Sequence, residues 1–492
     1  MRLATHRPRS PAVAAVALAV ALGACGSTEE DGGGDLADPF AAQPDTSEGL
    51  VNVSADLDAV LERGALATAC ADYAASPGDR RLRLLCGKAM FFFESFGTPG
   101  VPKPILTWLV EHFPDEVGAG FAHLGMIPDP ASVDGLPLGL PPGPDFGTVP
   151  AVSFGCASCH FARLPDGRYA VGAPNHAYRY GHMNLMMTLL PMLSVPGADP
   201  TAHHPDALAV IQPLRDRMAA DPSIQNALIA ALLPLLGGGG GAMPTLSAET
   251  EGHYARWPSG TMDFLIQPLP FDDGVHTISK ISALWGIPGE AELAAHGLTS
   301  AMLGWTGGTA SVHNFLAGFV DIGGGDLGEW PAERLGPLVD YLDSLRAPAP
   351  MAPPPADAVA RGRGVFVAAG CQDCHGAPRG GGAELYDFDE IGTDAAMRWW
   401  ADGPDHDGQP FDGLRFQPGD SLTNALKSPR LVGLWTMTRF LHNGSLERLE
   451  QLLCVEARPG VTEPAFGDGG HTFGCDLPEG ERADLLAYLR AH

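Results

Sequence analysis

Basic residues are scarce in this chain. Its 492 residues carry 30 Lys and Arg against 58 Asp and Glu, a formal charge of −28. A surface this acidic repels nucleic acid and anionic lipid, and suits a basic protein or a neutral substrate as partner. It would also keep an exported protein in solution. Long apolar runs are missing as well. Beyond the N-terminal stretch no uninterrupted segment is long enough to cross a bilayer as a helix. With 45% hydrophobic and 18% charged residues, the composition is that of a globular protein rather than a disordered one. The length allows two or three domains.

The N-terminus reads as an export signal. Arg2, Arg7 and Arg9 precede the short apolar run PAVAAVALAVALGA, which ends in Leu22-Gly23-Ala24-Cys25. That ending looks like a bacterial lipobox, in which the cysteine becomes the lipidated first residue. The reading is a signal peptide over 1–24, then a lipidated, acidic, flexible tether over 25–54. It places the protein at the periplasmic face of the outer membrane or elsewhere in the cell envelope. The absence of Asp after Cys25 favours the outer membrane.

Eight further cysteines then stand in an oxidising compartment. Four lie in Cys156-Ala157-Ser158-Cys159-His160 and Cys371-Gln372-Asp373-Cys374-His375. The other four, Cys70, Cys86, Cys454 and Cys475, suffice for two disulfides, so no thiol is left over. A c-type haem needs the CxxCH spacing: two thiols add to the vinyl groups and the next imidazole reaches the iron. Chance predicts roughly 0.006 such pentapeptides in a chain of this composition, and two are present. A thiol-redox pair would follow a strand in a βαβ unit, which is not apparent. Zinc gives no reason for a histidine after each pair. The expected cofactors are therefore two covalent haems, with Cys156, Cys159, His160, Cys371, Cys374 and His375 as their attachment and proximal ligand residues.

The chain divides around these motifs. AVARGRGVFVAAGCQDCHG is an amphipathic helix running into the second motif, and PEGERADLLAYLRAH is an amphipathic closing helix. Together they bound a C-terminal cytochrome c-like domain over 357–492. APAPMAPPPA supplies a proline-rich linker over 347–356. Before it, ERLGPLVDYLDSLRA reads as a second closing helix. This makes 55–346 an N-terminal haem domain enlarged by helical insertions, among them SIQNALIAALLPLL. The expected fold class is mainly α.

These residues resemble the bacterial di-haem cytochrome c peroxidase superfamily over roughly 150–492. The likeness is carried by the two CxxCH motifs, LGWTGG, EIGTD and SPRLVGLWTMTRFLHNGSLERLEQLL. The FLHNGS form lies nearer the rubber-oxygenase branch. The resemblance implies an electron-transfer haem and a reactive haem bridged by a tryptophan. Trp305 matches the bridge, with Trp285 as a rival. It also implies that His471, in the loop GHTFGCDL, pairs with His375 as sixth ligand of the C-terminal haem, with Met437 or His442 as the alternatives. Cys454 and Cys475 would clasp that loop. On the distal side of the N-terminal haem, His176 sits where the peroxidases carry a removable histidine; His182 and Met183 are in range, and rubber oxygenases leave this position open. Relatives also hold a calcium ion between the domains.

One departure bears on activity. The peroxidases place a glutamine and a glutamate after the bridging tryptophan. Here GGTASVHNFLAGFVD holds no carboxylate before Asp321. His313 is the candidate acid-base group, or else a structural histidine. Phe315 and Phe319 would make the pocket apolar. The expectation is an oxidoreductase reacting oxygen or peroxide at the N-terminal haem, with a periplasmic electron donor or acceptor protein and oxygen, peroxide or a hydrophobic substrate as partners. The alternatives are an electron-transfer cytochrome without substrate chemistry and a gas sensor.

Overall fold

A computed structural model describes residue 40 and residues 43–98, 100–195, 197–237, 246–263, 278–295, 304–305, 311–322, 324–376, 380–381, 385–398 and 425–492. The described residues are mainly helical, with short antiparallel ladders. No described helix is long and apolar enough to cross a membrane. The proposed signal peptide and Cys25 lie outside the described residues.

Two helix crossings organise the chain. The helix Arg80–Phe93 begins where the Asp79 side chain accepts from the Leu82 N–H, an N-cap that satisfies one free donor. It packs on the helix Ala332–Ser344. At the crossing only a glycine fits: a Cβ on Gly87 would collide with the Pro337 carbonyl oxygen and come within 2.6 Å of Tyr341 Cβ. The second crossing joins Ala356–Ala368 to Glu479–Arg490. There a Cβ on Gly362 would collide with the Asp484 carbonyl oxygen and lie 2.7 Å from Tyr488 Cβ.

The pattern repeats residue for residue. Each glycine is followed four positions later by a phenylalanine, Phe91 or Phe366, that packs on the tyrosine of the facing helix. Each tyrosine stands four positions after the colliding carbonyl. The two closing helices expected from the sequence are thus both present, each seated in the same way on a first helix.

The cores follow this division. Phe366, Leu434, Phe440, Leu446, Leu449, Leu485, Tyr488 and Leu489 form the buried part of a C-terminal core. Two larger clusters lie mostly in the N-terminal half, one around the first crossing and one around Tyr180–Leu193 and the insertion helices, the latter joined by Ala396 and Ala465. The insertion SIQNALIAALLPLL is helical, within Pro222–Gly237. A disulfide, Cys70–Cys86, staples the helix Ala69–Ala75 to Arg80–Phe93.

Two boundaries differ from the sequence reading. The tether was expected to run to residue 54, yet 43–54 are folded. Val53–Ser54 pair with Tyr169 and Ala170, Leu50 is buried, and Asn52 accepts from the Tyr341 hydroxyl. Phe40 stacks on His492 and packs edge-on to Phe366 and Tyr488. The acidic composition concealed a few apolar side chains with cores to enter. Nor is the linker free: the Trp435 indole N–H donates to Pro348 O at 2.8 Å and Arg168 to Ala349 O at 2.9 Å. Residues Asp38–His492 form one compact unit.

Candidate functional site

The first CxxCH is the short helix Cys156–His160, followed directly by the strand Phe161–Arg163. That strand pairs antiparallel with Tyr169–Val171, as do all named ladders among the described residues, so the motif does not sit in a parallel βαβ unit. Cys156 and Cys159 are free thiols. Burial pushes Cys156 up to about 12 and Cys159 up to about 11. A disulfide-exchange pair needs the opposite, a stabilised thiolate. His160 Nδ1–H donates to the Ser282 carbonyl at 3.0 Å. That bond fixes the tautomer and leaves Nε2 with its lone pair free. Burial holds the ring neutral by drawing its pKa down to about 4.

The second motif repeats this arrangement. Gly370, in the left-handed region at φ 72°, turns the chain from the helix Ala356–Ala368 into Cys371–His375. Cys371 and Cys374 are free. His375 Nδ1–H points at two carbonyls, Gly380 at 3.2 Å and Pro429 at 3.1 Å, again leaving Nε2 unengaged. Burial first, and the neighbouring His471 second, bring its pKa down to about 4.

His471 faces His375. Their ring centres are 6.2 Å apart and the planes differ by 58°. Two axial nitrogens about 2 Å from a shared metal, each about 1.1 Å from its own ring centre, give roughly that spacing. His471 sits at φ 44°, a conformation that costs a non-glycine residue energy and persists only when its surroundings impose it. Those surroundings are extensive. The Cys454–Cys475 disulfide closes the loop. Its backbone N–H donates to Ile391 O of EIGTD at 2.8 Å, and Gly467 N–H donates to Asp394 of the same segment. Asn443 and Ser445 of HNGS hold Ala465 and Gly467. Arg458 donates to the carbonyls of Gln451, Leu452, Asp468, Gly470 and His471. The short segments that carried the family resemblance are thus largely the bracing of this one loop.

Both motifs open on one cavity of about 820 Å³, within the size range of cofactor sites. Its wall includes all four free cysteines, His160, His375, His471, Trp305 and Trp285, and is mostly apolar. Trp285 is fully buried, with its indole N–H donating to Val171 O at 2.8 Å. Trp305 is half-buried, and its N–H donates to Lys280 O at 3.1 Å. Phe315 and Phe319 pack edge-to-face at 4.8 Å on the same wall, with Phe319 39% exposed at the surface.

Other sequence candidates fall elsewhere. His176 does not line the cavity. Its Nε2–H donates to Ile281 O at 3.0 Å and its Nδ1 accepts the Thr438 N–H at 3.1 Å. Both ring nitrogens are thus engaged, and the loop carrying it packs against the segment after Met437. His182 bonds Ala255 O, and Met183 is buried in the N-terminal core. His313 stands on the helix Val312–Ile322 but not on the cavity wall, where its neighbours Val312 and Asn314 lie. Met437 and His442 do line the cavity; His442 Nδ1 is 3.4 Å from the Thr393 hydroxyl. Among the described residues no three His, Cys, Asp or Glu side chains gather as they would around a bare ion such as calcium.

Sequence reasoning missed Ser282, Arg458 and Lys280. The first acts through a backbone carbonyl, and the second lies in no motif. The third had a signal in the rarity of lysine. Searches of protein-family models and of curated proteins find no match to this chain.

Proposed function

We propose that this chain is an exported di-haem c-type cytochrome of the di-haem cytochrome c peroxidase superfamily, made of two cytochrome c-like domains and acting as an oxidoreductase. The observation that carries the reading is the shared cavity: two free CxxC pairs, each with a following histidine whose Nε2 is left unengaged, line one apolar space. The duplicated glycine crossing supports two domains of one kind. Covalently held haem supplies one-electron chemistry and, where an axial position is open, reaction with oxygen or peroxide.

The side chains divide the work. Cys156, Cys159 and His160 would hold one group, and Cys371, Cys374, His375 and His471 the other. A braced His471 suits the second site to electron transfer, because a ligand already in place needs little reorganisation. Among the described residues His176, His182 and Met183 are each engaged elsewhere; a group held at the first site by Cys156, Cys159 and His160 would then supply oxygen or peroxide chemistry, which is the reading of an enzyme over a pure electron carrier. Phe315 and Phe319 would keep the approach dry and suited to oxygen or a hydrophobic substrate. Trp305, on the wall common to both motifs, is the residue for passing electrons between them. Lipidation at Cys25 would tether the protein in the cell envelope, with a basic periplasmic protein as electron partner.

The test is a haem count by pyridine haemochrome and intact mass, followed by low-temperature EPR of the ferric protein. Two covalent haems with one high-spin and one low-spin signal are expected. Absence of covalent haem in a strain with haem-c maturation would end the proposal, and two low-spin signals would overturn its enzymatic part.

A further inference from the structure

Lysine is the rarest charged residue here. Four lysines stand against 26 arginines, at positions 88, 103, 280 and 427. Three of the four are buried: Lys88 at 0%, Lys280 at 8% and Lys427 at 9% exposure. Lys88 has ordinary partners, the Glu62 carboxylate at 2.6 Å and Val51 O at 2.8 Å. Lys280 has no such partner. Its side chain lines the cavity, and among the described residues its ammonium meets aromatic faces, Trp305 at 5.4 Å and Phe440 at 6.0 Å from the ring centres. Among the described residues no carboxylate pairs with it.

A buried ammonium without an anion is costly, and proteins pair such groups or neutralise them. Burial alone draws Lys280 down to about 8, so around neutral pH most of it remains charged. Its backbone is well fixed: its N–H donates to His442 O at 2.6 Å and its carbonyl accepts the Trp305 indole N–H. Lys427 approaches from the other side, its backbone N–H donating to Trp305 O at 2.8 Å. The nearby His176 and His442 are both held neutral by burial, with the Lys280 charge adding to the effect. The wall beside Trp305 is therefore a fixed positive site facing an apolar cavity.

We propose that Lys280 is a carboxylate seat inside the cavity, and that its occupant is a propionate of one of the two haems. This rests on the di-haem reading. An ammonium offers a full charge and three donors on a compact head, enough to hold a single carboxylate arm. The seat ties one haem edge to Trp305 through a single residue, because the same lysine carries the carbonyl that orients the indole.

The experiment is spectroelectrochemical titration of the full-length holoprotein and its Lys280→Met and Lys280→Gln variants, with and without formate as a free carboxylate probe. Haemochrome and mass first establish two covalent haems in each; if wild type carries none, the di-haem reading fails rather than this one. A cation beside a haem edge favours the reduced state. Both variants should therefore show one of the two midpoints shifted downward and the other unmoved, with no effect of formate on wild type. Lys280→Arg should restore most of the shift. Unchanged midpoints in Lys280→Met and Lys280→Gln would overturn the proposal. So would a wild-type midpoint that moves saturably with formate and ceases to do so in Lys280→Met, since the seat would then serve a free carboxylate.

Discussion

Consider removal of the clasp on the His471 loop by Cys454→Ser with Cys475→Ser. The bridge spans a sequence separation of 21. In the chain-entropy description, opening a loop of that length restores about 3 kcal/mol of freedom to the detached state. On the proposed di-haem reading His471 would bind as an intramolecular ligand, so its advantage over an external one would fall by the same amount, a factor of roughly 100. The assay is a cyanide titration of the ferric holoprotein, following the C-terminal haem by its low-spin EPR signal. On that reading cyanide would have to displace His471, and its apparent Kd at the C-terminal haem should tighten by about two orders of magnitude. The N-terminal haem is the internal control and should titrate unchanged. Arg458, Asn443 and Asp394 still brace the loop in the variant, so the figure is an upper value. An affinity unchanged within about threefold would refute the picture of an arm held by its closure.

Three further outcomes follow from the geometry. His471→Gly should convert the C-terminal haem from low-spin to high-spin in EPR while both haems stay covalently attached, and added imidazole should restore the low-spin signal. Gly362→Ala puts a methyl against the Asp484 carbonyl, and Gly87→Ala one against Pro337. Each should cost about 2 kcal/mol in denaturant unfolding, whereas Gly364→Ala, inside the helix Ala356–Ala368 where a Cβ meets open space, should stabilise by about 0.5–1 kcal/mol. Burial depresses His176 from 6.5 to about 3. The unfolded chain takes up a proton that the folded ring refuses. Stability should therefore be full above about pH 6.5 and fall toward pH 3, by up to about 1.4 kcal/mol per pH unit. His176→Gln should flatten that slope in denaturant midpoints measured at pH 7, 6 and 5.

The parts legible in the sequence are those with local periodicity or fixed spacing. The closing helices, the insertion helix and the CxxCH helices each announce themselves through leucine spacing or cysteine spacing. The pairing of Cys454 with Cys475 was suggested by two cysteines flanking one histidine. What escaped depends on where distant segments meet. His176 looked like a ligand by its distance from the first motif along the chain. Its ring is instead taken up by Ile281 and Thr438, more than a hundred residues downstream. Residues 43–54 read as tether because acidic and small residues dominate their surroundings, yet Leu50 and Val53 suffice to anchor them. Arg458 grips five carbonyls, and carbonyls leave no trace in a sequence.

The two crossings have a consequence for how such a chain can grow. In the C-terminal half only residues 369–370 separate the first helix from its motif, whereas in the N-terminal half residues 94–155 do. Both halves nonetheless close on the same glycine, phenylalanine and tyrosine at matched intervals. Insertions are absorbed between the fixed points while the interlock keeps its dimensions. One glycine, two aromatic rings and one carbonyl are then a geometric ruler. It can be laid on any coordinate set to find another half of this kind, even where residue-by-residue comparison returns nothing.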